Sequence, residues 1–238
     1  MSGEARKYEQ AGVAMTCRSY VEYERMFSLD EEVLGAGPIL DIAAGASSFV
    51  AEAADRGWEA AAVDPLYAMT PEELFEHGKK EIQVSTHKLA GLERVCDWTY
   101  YGSLRNHRSM REASLSRFIE DYKTRGKKSY MAGMLPKLPV EDNSQGLVLC
   151  SHFLFLYHEQ FDYDFHLEAI KEMLRVCRPG GEIRLYPLVT LGWERYPFLK
   201  CLLKELEGEE QKLTLMPSSL PFIPGSNQLL RIQKSDFE

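Results

Sequence analysis

The chain has 238 residues, 45% of them apolar, and a formal net charge of −8 at neutral pH. That is enough for one domain with a filled core and an elaborated loop. It speaks against a broad nucleic-acid face, which needs a basic stripe, and no apolar run reaches the length of a membrane span. The five cysteines, Cys17, Cys96, Cys150, Cys177 and Cys201, are odd in number and form no Cys-x-x-Cys pair. They read as reduced thiols of a cytoplasmic protein.

Residues 1–10 are polar, with no apolar secretory segment. The spacing of Tyr20, Tyr23 and Phe27 predicts a helix over residues 16–27. Ile39–Ile42 is short and apolar, as in a buried strand, and a loop of small residues, Ala43 to Ser47, follows it. Ser48 is placed to cap a helix over residues 48–56, which Gly57 ends. Ala60–Val63 is the next strand and leads into Asp64.

A helical insertion over about residues 68–127 then delays the next strand, residues 129–132. Thr70-Pro71-Glu72-Glu73 is a capping box, and Gly78 is read as the end of its helix. Ser109-Met110-Arg111-Glu112 is a second box, opening a helix that Gly126 stops. One of these helices is the ordinary crossover and the rest forms a cap. Strand 146–150, helix 164–176, the turn Arg178-Pro179-Gly180-Gly181 and strand 182–188 come next. A helix over residues 197–206 and strands over 211–216 and 228–233 complete the chain.

The turn after the first strand decides the class of ligand. A strand, a small-residue loop and a helix N-terminus let a ligand lie against the backbone. A dinucleotide site wants Gly-x-Gly-x-x-Gly under a pyrophosphate. Here Gly45 stands alone, and Asp41 precedes the turn. A carboxylate repels phosphate and attracts a cation, which suits S-adenosylmethionine (SAM). Asp64 ends the second strand, where a ribose-binding acid sits in a βαβ unit. A NAD(P)-binding oxidoreductase is the weaker alternative.

Residues 39–50 with Ala62-Val63-Asp64-Pro65 resemble motif I and the following acid of class I SAM-dependent methyltransferases. Ala43 and Ser47 stand where that family usually has glycines, which requires the loop to avoid positive φ there. Gly133-Met134-Leu135-Pro136 with Asp142-Asn143-Ser144 resembles a further family segment, with Met134 at the position of its adenine-binding acid. The run from Ser151 to Tyr157 resembles an uncharacterised bacterial branch of small methyltransferases.

The resemblance implies an α/β, Rossmann-like, seven-stranded and mostly parallel sheet. Helices lie on both faces, the last strand is antiparallel, and the helical insertion follows the second strand. It implies a single domain that binds SAM, releases S-adenosylhomocysteine (SAH) and methylates an O or N atom of a small molecule. The alternative is a silent SAM- or SAH-binding protein. The implied cofactor residues are Arg18, Tyr20, Asp41, Ala43, Gly45, Ser47, Ser48, Asp64, Pro65, Leu66, Met134, Leu135 and Ser151. Tyr23, Trp98, Tyr100, Tyr101, Phe155 and Tyr157 are expected to line the acceptor pocket. His152 is the candidate general base, since histidine titrates near neutrality. No metal, nucleic-acid or membrane partner is expected.

Overall fold

A computed structural model describes residues 10, 12–208 and 210–236. Residues 1–9, read above as polar, lie outside the described residues.

A strap over residues 12–18 without regular structure leads to helix α1, Tyr20–Phe27, and the short α2, Glu31–Leu34. The predicted helix therefore starts four residues late. The reason is local: the Glu22 carboxylate takes the backbone N–H (2.8 Å) and hydroxyl (3.1 Å) of Ser19, a capping box that fixes the start. Strand β1 is Ile39–Ile42, α3 is Phe49–Asp55 and β2 is Ala60–Val63. Ser48 stands at the cap of α3, but its hydroxyl turns to Glu52 at 2.7 Å. The Ser47 hydroxyl accepts the Phe49 N–H instead, at 3.0 Å.

The insertion consists of two long helices, α4 (Pro71–Ala90) and α5 (Leu104–Arg125). Gly78 does not end α4; it lies inside it. A Cβ there would sit 2.6 Å from a Leu115 methyl, so the glycine lets α4 and α5 approach closely. Helix α5 opens six residues before the predicted box, capped by Ser103, whose hydroxyl accepts the Asn106 N–H at 3.1 Å. Leu115, Phe118 and Tyr122 of α5 pack into the core with Tyr67 and Tyr130. Helix α5 is thus the crossover that covers the sheet, and α4 stacks on it.

The chain continues with β3 (Tyr130–Met131), β4 (Gln145–Ser151), α6 (Tyr163–Val176) and β5 (Cys177–Tyr186). It ends with α7 (Leu199–Leu206), β6 (Gln211–Pro217) and β7 (Gln228–Lys234). Among the described residues, seven strands form one sheet in the order β3-β2-β1-β4-β5-β7-β6. The pairs from β3 to β5 are parallel, and β7 runs antiparallel between β5 and β6. This is the sheet the sequence predicted. The order reverses between β1 and β4, and both strands are buried throughout most of their length. Ligands of open α/β sheets bind beyond the C-terminal strand ends at such a reversal.

Candidate functional site

Two cavities lie at that edge, and the strap divides them. The first, about 280 Å³, is bounded by Ile42 and Ala43 after β1, Val63 to Leu66 after β2, Gly133 to Leu135 after β3 and Ser151 to Phe153 after β4. The second, about 120 Å³, lies on the other side, among the strap, α4, α5 and the loop after β5. Ala14, Met15, Thr16 and His152 belong to the walls of both.

The strap is pinned to the motif loop. The Ala46 N–H donates to the Thr16 carbonyl, and the Ser48 N–H donates to that of Arg18, each at 2.9 Å. The Ser47 hydroxyl also donates to the Arg18 carbonyl at 2.9 Å. Farther along, the Ala14 N–H donates to the Tyr157 hydroxyl at 3.0 Å. A Cβ on Gly45, whose φ is +59°, would lie 2.8 Å from the Thr16 carbonyl oxygen. The close approach that Gly45 permits is therefore taken by the chain itself, not left open for a cofactor tail. Ala43 also departs from expectation, with φ +54°. A left-handed alanine costs on the order of 1 kcal/mol, and such strain is typical of binding loops.

Asp64 lies on the wall of the first cavity. Its two oxygens accept the N–H groups of Gly45 and Leu66, each at 2.9 Å. Burial pushes its carboxyl above the ordinary range, and those two N–H groups oppose the rise. The carboxylate is thus oriented by the βαβ turn and keeps lone pairs for a hydroxyl donor. Pro65, Leu66, Leu135 and Ser151 share the wall, and Met134 stands at its rim, 61% exposed.

Asp41 lines neither cavity. It is fully buried in β1, and neither carboxylate oxygen has a hydrogen-bond partner. Burial drives its carboxyl well above the ordinary value; the facing Tyr23 phenol lowers it and Asp64 raises it further. Burial favours the neutral acid, and a cation beside it would draw it back toward the charged form, so the group suits a cationic ligand.

His152 has φ +51°, and its Nδ1 lies 2.9 Å from the Ser151 hydroxyl. Burial, Arg18 and Arg111 all hold its pKa well below 6.5. The ring is therefore neutral at physiological pH, and its protonated form is disfavoured. It suits a hydrogen-bond acceptor at the cavity junction better than a base of ordinary strength.

The remaining expected residues separate. Tyr157 alone of the predicted acceptor residues lies on the second cavity's wall. Tyr23 stacks on Phe49 at 4.6 Å within the core, and Tyr20 stacks on the same ring at 5.4 Å. Phe155 packs on Tyr196 and His166 behind β4. Tyr100 lies under Arg25, and Trp98 stands behind the wall, edge-on to Phe222 at 5.1 Å. The Tyr101 hydroxyl donates to Glu22 at 2.6 Å, inside a buried network. These five acceptor candidates and Tyr20 line neither cavity, because their rings fill the core and brace the wall. Ser47 and Ser48 are likewise spent on the strap and α3. Arg18 lines the second cavity, not the first.

The network that braces the second cavity escaped the sequence reading. Arg111 of α5 is held by Glu22 of α1 at 2.6 Å, and it donates to the Tyr101 hydroxyl at 2.9 Å and the Cys17 carbonyl at 2.8 Å. His107 faces the same cavity, stacked on Phe222. Burial first, and then Arg111, push His107 down to about 2. The helical spacing of His107 and Arg111, with an acid in the Ser19 capping box, was the signal available.

The family model described as a methyltransferase domain matches residues 109–185. An uncharacterised protein of Methanocaldococcus jannaschii is 35% identical over 218 residues, 91% of this chain and 94% of that one. The chain carries a methyltransferase domain. Its cofactor is accordingly S-adenosylmethionine. Among solved structures, the mitomycin 7-O-methyltransferase MmcR superposes with a TM-score of 0.51 at 12% identity, over 91% of this chain and 54% of that one. That likeness is one of fold. A putative SAM-dependent methyltransferase of Methanococcus maripaludis covers 92% of this chain and 91% of its own, at a TM-score of 0.44 and 12% identity. No helix among the described residues of this methyltransferase is long and apolar enough to cross a membrane, and they hold no cluster suited to a metal ion.

Proposed function

We propose that the protein methylates an O or N atom of a small molecule, with SAM in the first cavity and the acceptor in the second. The observation that carries this reading is that the two cavities adjoin, sharing residues 14–16 and His152 in their walls. Bound SAM supplies a methyl group on a sulfonium, a leaving group that needs no further activation. Asp64 would hold the ribose, Pro65, Leu66 and Leu135 would flank the adenine, and Asp41 would favour the positive charge from beneath. The protein's share of the chemistry is alignment and exclusion of water. His152 would accept a hydrogen bond from an acceptor hydroxyl or amine.

Asp64→Ala should weaken SAM binding at least tenfold by calorimetry, because a hydrogen bond to a charged group is worth about 1.5–3 kcal/mol. Asp64→Asn is the milder companion, and circular dichroism checks that both fold. Unchanged affinity in both variants would refute the assignment. Tritiated SAM offered to separated small-molecule and macromolecular extracts tests the acceptor class, with label expected in the first.

A further inference from the structure

The second cavity carries an unspent positive charge. Arg18 ends the strap, and its carbonyl is pinned to Ser47 and Ser48. Its side chain lies on the cavity wall, yet Nε and Nη1 are shut off from solvent and have no hydrogen-bond partner. The carboxylate within its influence, Glu22, is already committed to Arg111, Tyr101 and Ser19. Two guanidinium groups thus share one buried carboxylate. Glu81 also lines the cavity, half-buried, but it makes no ion pair with Arg18. His107 and His152 stay neutral, so they leave the balance unchanged. An unpaired buried cation is destabilising, and a bound anion offsets that penalty.

Thr16, Ser85, Arg111 and Tyr157 add polar groups to the wall, but much of it is apolar, with Met15, Leu156, Leu191, Trp193 and Phe222. Its 120 Å³ approaches the roughly 150 Å³ of a protein cavity that takes one benzene ring. We infer that the second cavity is built for a small organic carboxylate, with an apolar body about the size of one ring and its anionic group on Arg18. A guanidinium presents a planar fork that matches a carboxylate. The inference rests on the assignment of this cavity to the acceptor. A carboxylate could also come from the methionine end of SAM, the role the sequence suggested for Arg18. The position of Arg18 on the acceptor side of the partition favours the acceptor.

Calorimetry on the full chain separates the sources. Benzoate, phenylacetate and hexanoate are titrated into the SAH-loaded protein alongside their neutral amides. SAH and 5′-methylthioadenosine, which lacks the amino-acid end, are titrated alone. At least one carboxylate should bind about tenfold more tightly than its amide, a preference lost in Arg18→Met and partly kept in Arg18→Lys. SAH affinity should change less than about threefold in both variants. The proposal is overturned if no carboxylate binds, or if acids and amides bind alike. It is also overturned if Arg18→Met weakens SAH about tenfold and spares 5′-methylthioadenosine. Failure of wild-type protein to bind SAH would instead sink the donor-site reading.

Discussion

Asp41 is held where its charge is penalised. Its folded pKa lies above the unfolded value, so it favours the fold at low pH, and that contribution falls from the ordinary carboxylate value up to the raised one as pH increases. Asp41→Asn should therefore raise the melting temperature of the ligand-free protein near neutral pH, by on the order of 1–3 kcal/mol of stability. The same change should weaken SAM binding, and the gain in stability should vanish near pH 4. Opposite signs in a thermal melt and a calorimetric titration are the signature expected. Glu22 behaves the other way. Burial pushes its carboxyl up, but Arg111 prevails and holds it near 2. It contributes stability above the ordinary value of 4.5 that is lost as pH falls toward 2, a shift worth about 3 kcal/mol. Urea unfolding at pH 7 and at pH 3 should show this loss in the native chain and not in Glu22→Gln. That variant should already be weaker at pH 7 by about 3–5 kcal/mol, since it leaves Arg111 unpaired.

At the scale of the element, α4 and α5 show what local signals can and cannot convey. The Thr70 box is a local device, and it opens α4 where predicted. Gly78 reads as a stop because nothing within α4 explains it; the explanation is Leu115, 37 positions downstream. Ser103 and Ser109 offer comparable caps, and sequence alone does not rank them; the Ser109 hydroxyl ends up on the Arg105 carbonyl inside α5. Gly78→Val should cost about 1–3 kcal/mol by urea denaturation, because the branched side chain must displace Leu115 and the Met15 methyl, 3.1 Å from an added Cβ. Gly78→Ala should be nearly neutral, since a gain in helix propensity of up to about 1 kcal/mol offsets the crowding of flexible methyl groups. Aromatic residues were the least legible feature. Tyr23, Trp98, Tyr100, Tyr101 and Phe155 have the composition of a pocket, but a ring on a wall and a ring behind it look the same in a sequence.

For the whole molecule, the sheet was legible because β1, β2 and β4 are short apolar runs and the helical connections between them dictate parallel pairing. The residues at its edge that line the first cavity, Ala43 and Asp64 to Leu66, stand where the same βαβ logic placed a ligand. The route of residues 12–18 did not, because irregular chain carries no periodicity. A ligand that binds only the native state stabilises it by about 2.7 kcal/mol at a hundredfold excess over Kd. SAH at that excess should raise the melting temperature by roughly 5–10 °C in a domain of this size, and NAD should leave it unchanged. The strap adds a thermodynamic condition. Because Met15, Thr16 and His152 bound both chambers, a ligand that shifts them on one side alters what its counterpart meets on the other. By reciprocity, the factor by which a ligand in one chamber changes affinity in the other is the same in both directions. Residues 14–16 and His152, which face both chambers, are where each guest is felt by the other.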